Sequence, residues 1–391
     1  MHRRSRGLAL LVLMLSACAG SAIQPFEPSG RPATTTTAPS TTAGSTRTTT
    51  TTTTTSTVTT TTLPPLAPAT FESLTGIHTV RNFTRRFGSR GMARWERSVP
   101  GVEDIRITST IDDAEQPALW VAPRGDRDRP LLVILHSWST PYDQHAGIPF
   151  AMFAQENGWA VIAPQFRGVN DHAEAMGSDL AVQDVVDAID YAIAQDGVDA
   201  NRVYAVGLSG GGMMALLLAS RHPDRVAAVA AWGGVYDLVA FYPQSRAAGS
   251  HYAWQIRRVC GGDPTVPGPA QDECLHRSPI TYLDAAREQG VPVYIGQGIG
   301  DTLLRPSNAA NAFNQLADPE DRLSPEEVEQ IGRRRVPEHL SGEITIETFF
   351  AEGDPAPVFA RQSGAVWLVL FRGNHEMVYA PALRWFATDP R

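Results

Sequence analysis

The sequence predicts an α/β fold, a mostly parallel sheet with helices on both faces, and three observations carry that reading. From residue 131 onward, short apolar or β-branched runs alternate with segments of helical period. Two of the runs, Leu131–Leu135 and Val366–Leu370, are almost continuously apolar, as strands covered on both faces are. The two earliest runs, Ile105–Ser109 and Ala118–Ala122, have no helical pattern between them, which predicts an antiparallel start to the sheet.

Taken in order, the chain begins with an address. Arg3, Arg4 and Arg6 precede the apolar run Leu8–Leu15, which is followed by Leu15-Ser16-Ala17-Cys18. A basic start, a short apolar stretch and small residues describe a secretory signal over residues 1–17, too short to span a bilayer as a mature helix. The last four residues resemble the bacterial lipobox, so Cys18 is expected to be the lipidated first residue of an extracytoplasmic, membrane-anchored protein. Residues 18–70 then read as a tether. Of the 29 residues from Thr34 to Thr62, 20 are Thr, and so little apolar surface does not offset the entropy of ordering. A coil of this length reaches roughly 40 Å into the cell envelope.

Residues 71–391 form the expected globular domain. Arg81, Arg85, Arg86, Arg90, Arg94 and Arg97 make a local basic cluster with Phe83, Phe87 and Trp95, read as a solvated surface. Further strands are predicted at Leu131–His136, Trp159–Ala163, Arg202–Val206, Val226–Ala231, Val291–Gly296 and Ala365–Phe371. Helices are predicted at Ile148–Asn157, Asp179–Asp196, Gly211–His222, Thr281–Glu288, Pro306–Ala317 and Met377–Phe386. The segment Asp179–Asp196 is the clearest helix: Leu180, Val182, Val185, Val186, Ile189 and Ile193 recur at spacings of two to four while acids fill the other face. Two cap-like insertions interrupt the alternation, at about 236–279 and 318–360. The first is rich in aromatics, with Tyr236, Phe241, Tyr242, Tyr252 and Trp254 read as the core of the cap. It also holds Cys260 and Cys274, which are expected to pair in an oxidising exterior.

Charge and composition exclude several classes. The chain has a net charge of −8, and residues 71–391 carry 28 Arg against 40 acids, too acidic to hold nucleic acid by its phosphates. All 33 basic residues are Arg, so a Lys nucleophile, a Schiff base and a phosphate-loop Lys are excluded. No Cys/His spacing fits zinc, and no dinucleotide fingerprint follows the first strand, so no metal or cofactor is expected.

The strand Arg202–Val206 runs into Gly207-Leu208-Ser209-Gly210-Gly211 and straight on into a helix. This is G-x-S-x-G in the strand–turn–helix setting that presents a nucleophile on a strained turn. A serine hydroxyl needs a base and an orienting acid, which in the α/β-hydrolase fold follow it in the order acid, then His. Asp301 ends the segment Gln297-Gly298-Ile299-Gly300-Asp301 after one strand, and His375 follows the last strand in Arg372-Gly373-Asn374-His375. Both therefore sit where Ser209 does, at the carboxyl edge of the sheet. The rivals Asp354, Asp263, His339 and His276 lie within insertions. For a developing oxyanion, one donor is the Gly210 N–H; the other comes from His136-Ser137-Trp138, as either the Trp138 or the Ser137 N–H.

The elbow at Ser209, Gly234-Val235-Tyr236-Asp237, Arg277-Ser278-Pro279, Gly298-Ile299-Gly300-Asp301 and the late His375 together resemble the catalytic domain of the prolyl oligopeptidase family, over roughly Leu131 to Phe386. The resemblance implies an α/β-hydrolase fold and a serine hydrolase that cleaves a small ester or peptide substrate. Two departures weigh toward an ester: about 60 residues, instead of a β-propeller, precede the first central strand, and His136 stands where some members offer a Tyr hydroxyl. The segment Asn201–Ser220 is also similar to secreted polyester depolymerases and feruloyl-type esterases. The alternatives are a prolyl oligopeptidase-like peptidase and a non-catalytic surface lipoprotein; oligomeric state is open.

Overall fold

The structure, a computed structural model, describes residues 63–80, 90–342 and 344–391, of which Leu63–Arg391 form one compact unit. Cys18, the signal, most of the tether and Arg81, Arg85 and Arg86 of the basic cluster lie outside the described residues. Within the compact unit, Leu66 and Ala69 pack on the core ahead of Phe71.

Nine strands make one sheet: β1 Glu103–Thr108, β2 Glu115–Val121, β3 Arg129–Leu135, β4 Ala160–Pro164, β5 Val198–Leu208, β6 Ala228–Trp232, β7 Val293–Gly298, β8 Pro357–Ser363 and β9 Val366–Phe371, in the order β1-β2-β4-β3-β5-β6-β7-β9-β8. β1 pairs β2 and β2 pairs β4 antiparallel, and the ladders from β4 through β3, β5, β6 and β7 to β9 are parallel. The antiparallel start and parallel remainder are as the sequence predicts. β8 is not: it begins in the last residues of the expected insertion at 318–360, runs past its end, and closes the sheet antiparallel to β9. Its sequence, PVFARQS, lacks clean alternation and opens on Pro357, which a strand tolerates at an edge or first position.

The helices are α1 Met92–Ser98, α2 Ile148–Glu156, α3 Asp179–Ile193, α4 Gly210–Arg221, α5 Leu238–Ala247, α6 His251–Val259, α7 Pro269–His276, α8 Leu283–Glu288, α9 Ser307–Leu316, α10 Pro325–Gly332 and α11 Tyr379–Ala387. The sheet separates two buried clusters. One packs the apolar faces of α3, α4, α8 and α9 with the cap; the other packs α2 and α11. α3 starts where Ser178 accepts the Ala181 N–H, with Asp179 in the first turn, and buries Val182, Val185, Val186 and Ile189.

The first insertion folds as three short helices, α5, α6 and α7, and Cys260 and Cys274 are disulfide-bonded across it. Tyr236, Phe241 and Tyr242 are buried in it, whereas Trp254 is 59% exposed. Trp95, read as part of a solvated basic surface, is instead buried, its indole donating to the Asp143 carbonyl. A helical turn places one side of α1 inward, which charge counting along the chain does not register.

Candidate active site

β5 passes into α4 through a single residue. Ser209 has φ 61° and ψ −115°, a backbone that side chains rarely adopt, and it is held there by its N–H donating to the Trp232 carbonyl at 2.9 Å. The crossing is tight. A Cβ on Gly207 would collide with Gly211, and one on Gly211 with the Leu135 carbonyl, so both motif glycines are required by close approach. Ser209 thus sits at the start of α4, whose free N–H groups and dipole favour negative charge.

The two parallel strands beyond β6 lead to the other two candidate residues. Asp301 lies in the turn after β7 and His375 in the turn after β9, and the two turns are joined by the Gly300 N–H to the Gly373 carbonyl at 2.8 Å. His375 Nδ1 stands 2.7 Å from Asp301 Oδ2. The same oxygen accepts Gln297 Nε2 at 2.9 Å, and Oδ1 accepts the N–H groups of Leu303 and Leu304 at 2.8 and 2.9 Å. Four donors fix a carboxylate that is 1% exposed, so the imidazole it holds has a defined orientation. A Cβ on Gly233, at the end of β6, would touch the His375 ring at 3.4 Å. The rival residues are engaged elsewhere: Asp354 with His78, His339 with Glu327, His276 with Asp179, and Asp263 with Arg246.

The loop after β3 faces the elbow. A Cβ on Gly210 would lie 2.5 Å from the Trp138 nitrogen, so only glycine allows the two backbones to meet. The two donor candidates separate here. The Ser137 N–H is committed to Gln144 Oε1 at 3.2 Å, while among the described residues the Trp138 N–H donates to none. Gln144 Oε1 also accepts the Thr140 hydroxyl at 2.7 Å, bracing the loop. His136 turns its Nδ1 to the Ser137 carbonyl and stacks on Phe166 at 3.7 Å; burial lowers its pKa to about 4, so it is neutral near pH 7.

The cap closes on this loop. The Trp138 indole donates to Gln255 Oε1 of α6 at 2.9 Å and meets Phe241 and Tyr252 edge-on at 6.3 and 5.6 Å. A cavity of about 540 Å³ lies between α5 and α9, lined by Phe241, Gln244, Leu304 and Asn308 among others, behind the acid turn and without Ser209 in its walls. Gln297, Gln144 and Asn170, which also borders Gly210, carry no motif. Only the place of Gln297 at the end of β7, one strand turn before Asp301, was readable as a signal.

A serine on a strained turn between β5 and α4, on a sheet of this order, defines a serine hydrolase of the α/β-hydrolase fold. The prolyl oligopeptidase family model matches residues 150–326. Among known proteins, feruloyl esterase B of Neurospora crassa is 34% identical over 235 residues, 55% of this chain and 70% of that protein. Feruloyl esterase B of Thermothelomyces thermophilus is 27% identical over 218 residues, 52% of this chain and 69% of that one. The chain belongs to the prolyl oligopeptidase family. The solved acylaminoacyl peptidase of Pyrococcus horikoshii superposes with a TM-score of 0.46 at 18% identity over 55% of this chain; the chain spans 34% of its length.

Proposed function

We propose that this protein is an extracytoplasmic esterase, anchored through a lipidated Cys18, in which Ser209, His375 and Asp301 form a catalytic triad. Ser209 Oγ attacks the acyl carbonyl of a carboxylic ester as His375 Nε2 takes its proton. Asp301 receives the Nδ1–H and so keeps Nε2 as the acceptor. The carbonyl electron pair moves onto oxygen, where the Gly210 and Trp138 N–H groups receive it. Collapse expels the alcohol, protonated by His375, and water then enters by the same route to release the acid and restore Ser209.

The observation that carries the reading is the strained backbone of Ser209 at the start of α4, on the same sheet edge as the hydrogen-bonded His375 and Asp301. Ester is favoured over peptide by the feruloyl esterases among the relatives, which makes esters of aromatic acids the first class to try. A fluorophosphonate probe tests the nucleophile: the wild type should be labelled and Ser209→Ala should not. Folded wild-type protein that stays unlabelled would overturn the proposal. Acyl p-nitrophenyl esters run beside aminoacyl and prolyl p-nitroanilides separate ester from peptide.

A further inference from the structure

Asn170 stands on the loop between β4 and α3, 2% exposed, and enters no step of the triad. Both its backbone and its side chain are fixed. Its N–H donates to the Trp138 carbonyl at 2.8 Å, and its Oδ1 accepts the Met176 N–H at 2.9 Å. With Oδ1 turned to Met176, the amide nitrogen is directed at the elbow: a Cβ on Gly210 would lie 3.1 Å from Asn170 Nδ2, beside the Trp138 nitrogen. Among the described residues, Nδ2 donates to none. Its N–H groups are therefore left to a group that enters beside the elbow.

The loop that holds Asn170 is anchored at both ends. On one side Arg167 is ion-paired with Asp184 at 2.6 Å and with Asp112 at 2.8 Å. On the other, Arg277 Nη1 donates to the Ala175 carbonyl at 2.8 Å. Asn170 Nδ2 is therefore placed in advance and does not have to be recruited when charge develops, which is the condition for electrostatic catalysis.

We propose that Asn170 Nδ2 is a third donor to the oxyanion, acting with the N–H groups of Gly210 and Trp138; this rests on Ser209 being the nucleophile. As the bond from Ser209 Oγ to the acyl carbon forms and the carbonyl pair moves to oxygen, Nδ2–H donates to that oxygen. No proton is transferred to it, and the bond relaxes when the carbonyl reforms. A side-chain donor adds what a backbone N–H does not, since substitution removes it without altering the chain.

The test uses the full-length protein with a p-nitrophenyl ester and an aryl trifluoromethyl ketone, which adds a serine to form a tetrahedral oxyanion. Asn170→Ala removes the donor without adding charge; Asn170→Asp keeps the acceptor for Met176 but turns an oxygen to the site. In both, kcat should fall about 10²-fold, with KM within about threefold and the ketone's affinity falling in parallel. A role confined to holding the loop predicts a lowered Tm and an Asp variant close to wild type. The proposal is overturned if both variants keep kcat and ketone affinity within about threefold of wild type, or if kcat falls while ketone affinity does not. Fluorophosphonate labelling separates the two failures. Unlabelled folded wild type removes the Ser209 nucleophile and this proposal with it, whereas labelled wild type with unaffected Asn170 variants removes this proposal alone.

Discussion

His136, in the loop after β3, and Asp301, in the turn after β7, are both buried and are handled in opposite ways. Asp301 is buried with four donors around it, so both of its oxygens keep hydrogen-bond partners out of water. His136 is buried with its Nδ1 on the Ser137 carbonyl, and among the described residues its Nε2 has no partner, so burial holds it neutral with a pKa of about 4. The consequence for stability has a definite sign. Between pH 6.5 and about 4 the unfolded chain binds a proton at His136 that the folded chain refuses, so stability falls as pH drops through that window. The loss at the acid end amounts to about 3 kcal/mol, from 1.36 kcal/mol per pKa unit. His136→Phe, which keeps the stack on Phe166, should flatten that part of the stability–pH curve in urea titrations at pH 4, 5, 6 and 7. An unchanged slope would assign the acid sensitivity to another group. At this scale the sequence pointed to Ser209 through its elbow motif and to Asp301 and His375 through their places just past strand ends. Gln144 and Asn170 were hidden, and Gln297 had only its place at a strand end, since a hydrogen-bonding amide has no characteristic neighbours along the chain.

The elements repeat that division. α3 was legible because its apolar residues recur at helical spacing while acids fill the other face. β3 was legible because a strand covered on both faces is apolar throughout. α5, α6 and α7 were not, because Pro243 lies inside α5 and each is too short to be stable alone; packing on Trp138 and on one another decides them. The disulfide between Cys260 and Cys274 closes that cap with a sequence separation of 14. A loop of that size contributes about 3 kcal/mol in the chain-entropy model. Cys260→Ser with Cys274→Ser should therefore lower the thermal midpoint by several degrees in calorimetry. Because α6 holds the Trp138 indole through Gln255, ester turnover should also fall below that midpoint. A double variant as stable as the wild type would show that the cap is held by its apolar contacts alone.

For the molecule as a whole, the segment ahead of the sheet is joined to the loops that hold His375 and Ser137. Thr79 bridges Val378, the Val80 N–H donates to the Met377 carbonyl at 3.3 Å, and the Tyr379 N–H to the His78 carbonyl at 3.0 Å, all just past His375. Arg90 bridges Gln144, whose side chain braces Ser137. The anchor proposed at Cys18 precedes these contacts, and a tether should leave them undisturbed. Cys18→Ala should move the protein from the membrane to the soluble fraction, followed by immunoblotting, with turnover of a soluble ester unchanged. Retention of the variant in the membrane fraction would refute lipid anchoring there.

By itself the sequence determined the class of fold, and it put forward Ser209, Asp301 and His375, in that order, as candidates. Those follow from local chemistry: hydrophobic period, turn glycines and a motif that works only between a strand and a helix. The tertiary structure alone decided that β8 closes the sheet, that Trp138 rather than Ser137 offers its N–H beside Gly210, and that Asn170 reaches the same point. Each of these depends on groups far apart in the chain, Asn170 on Met176 and Gly210 and Ser137 on Gln144, and long-range hydrogen bonds between buried polar groups leave no period or spacing to read.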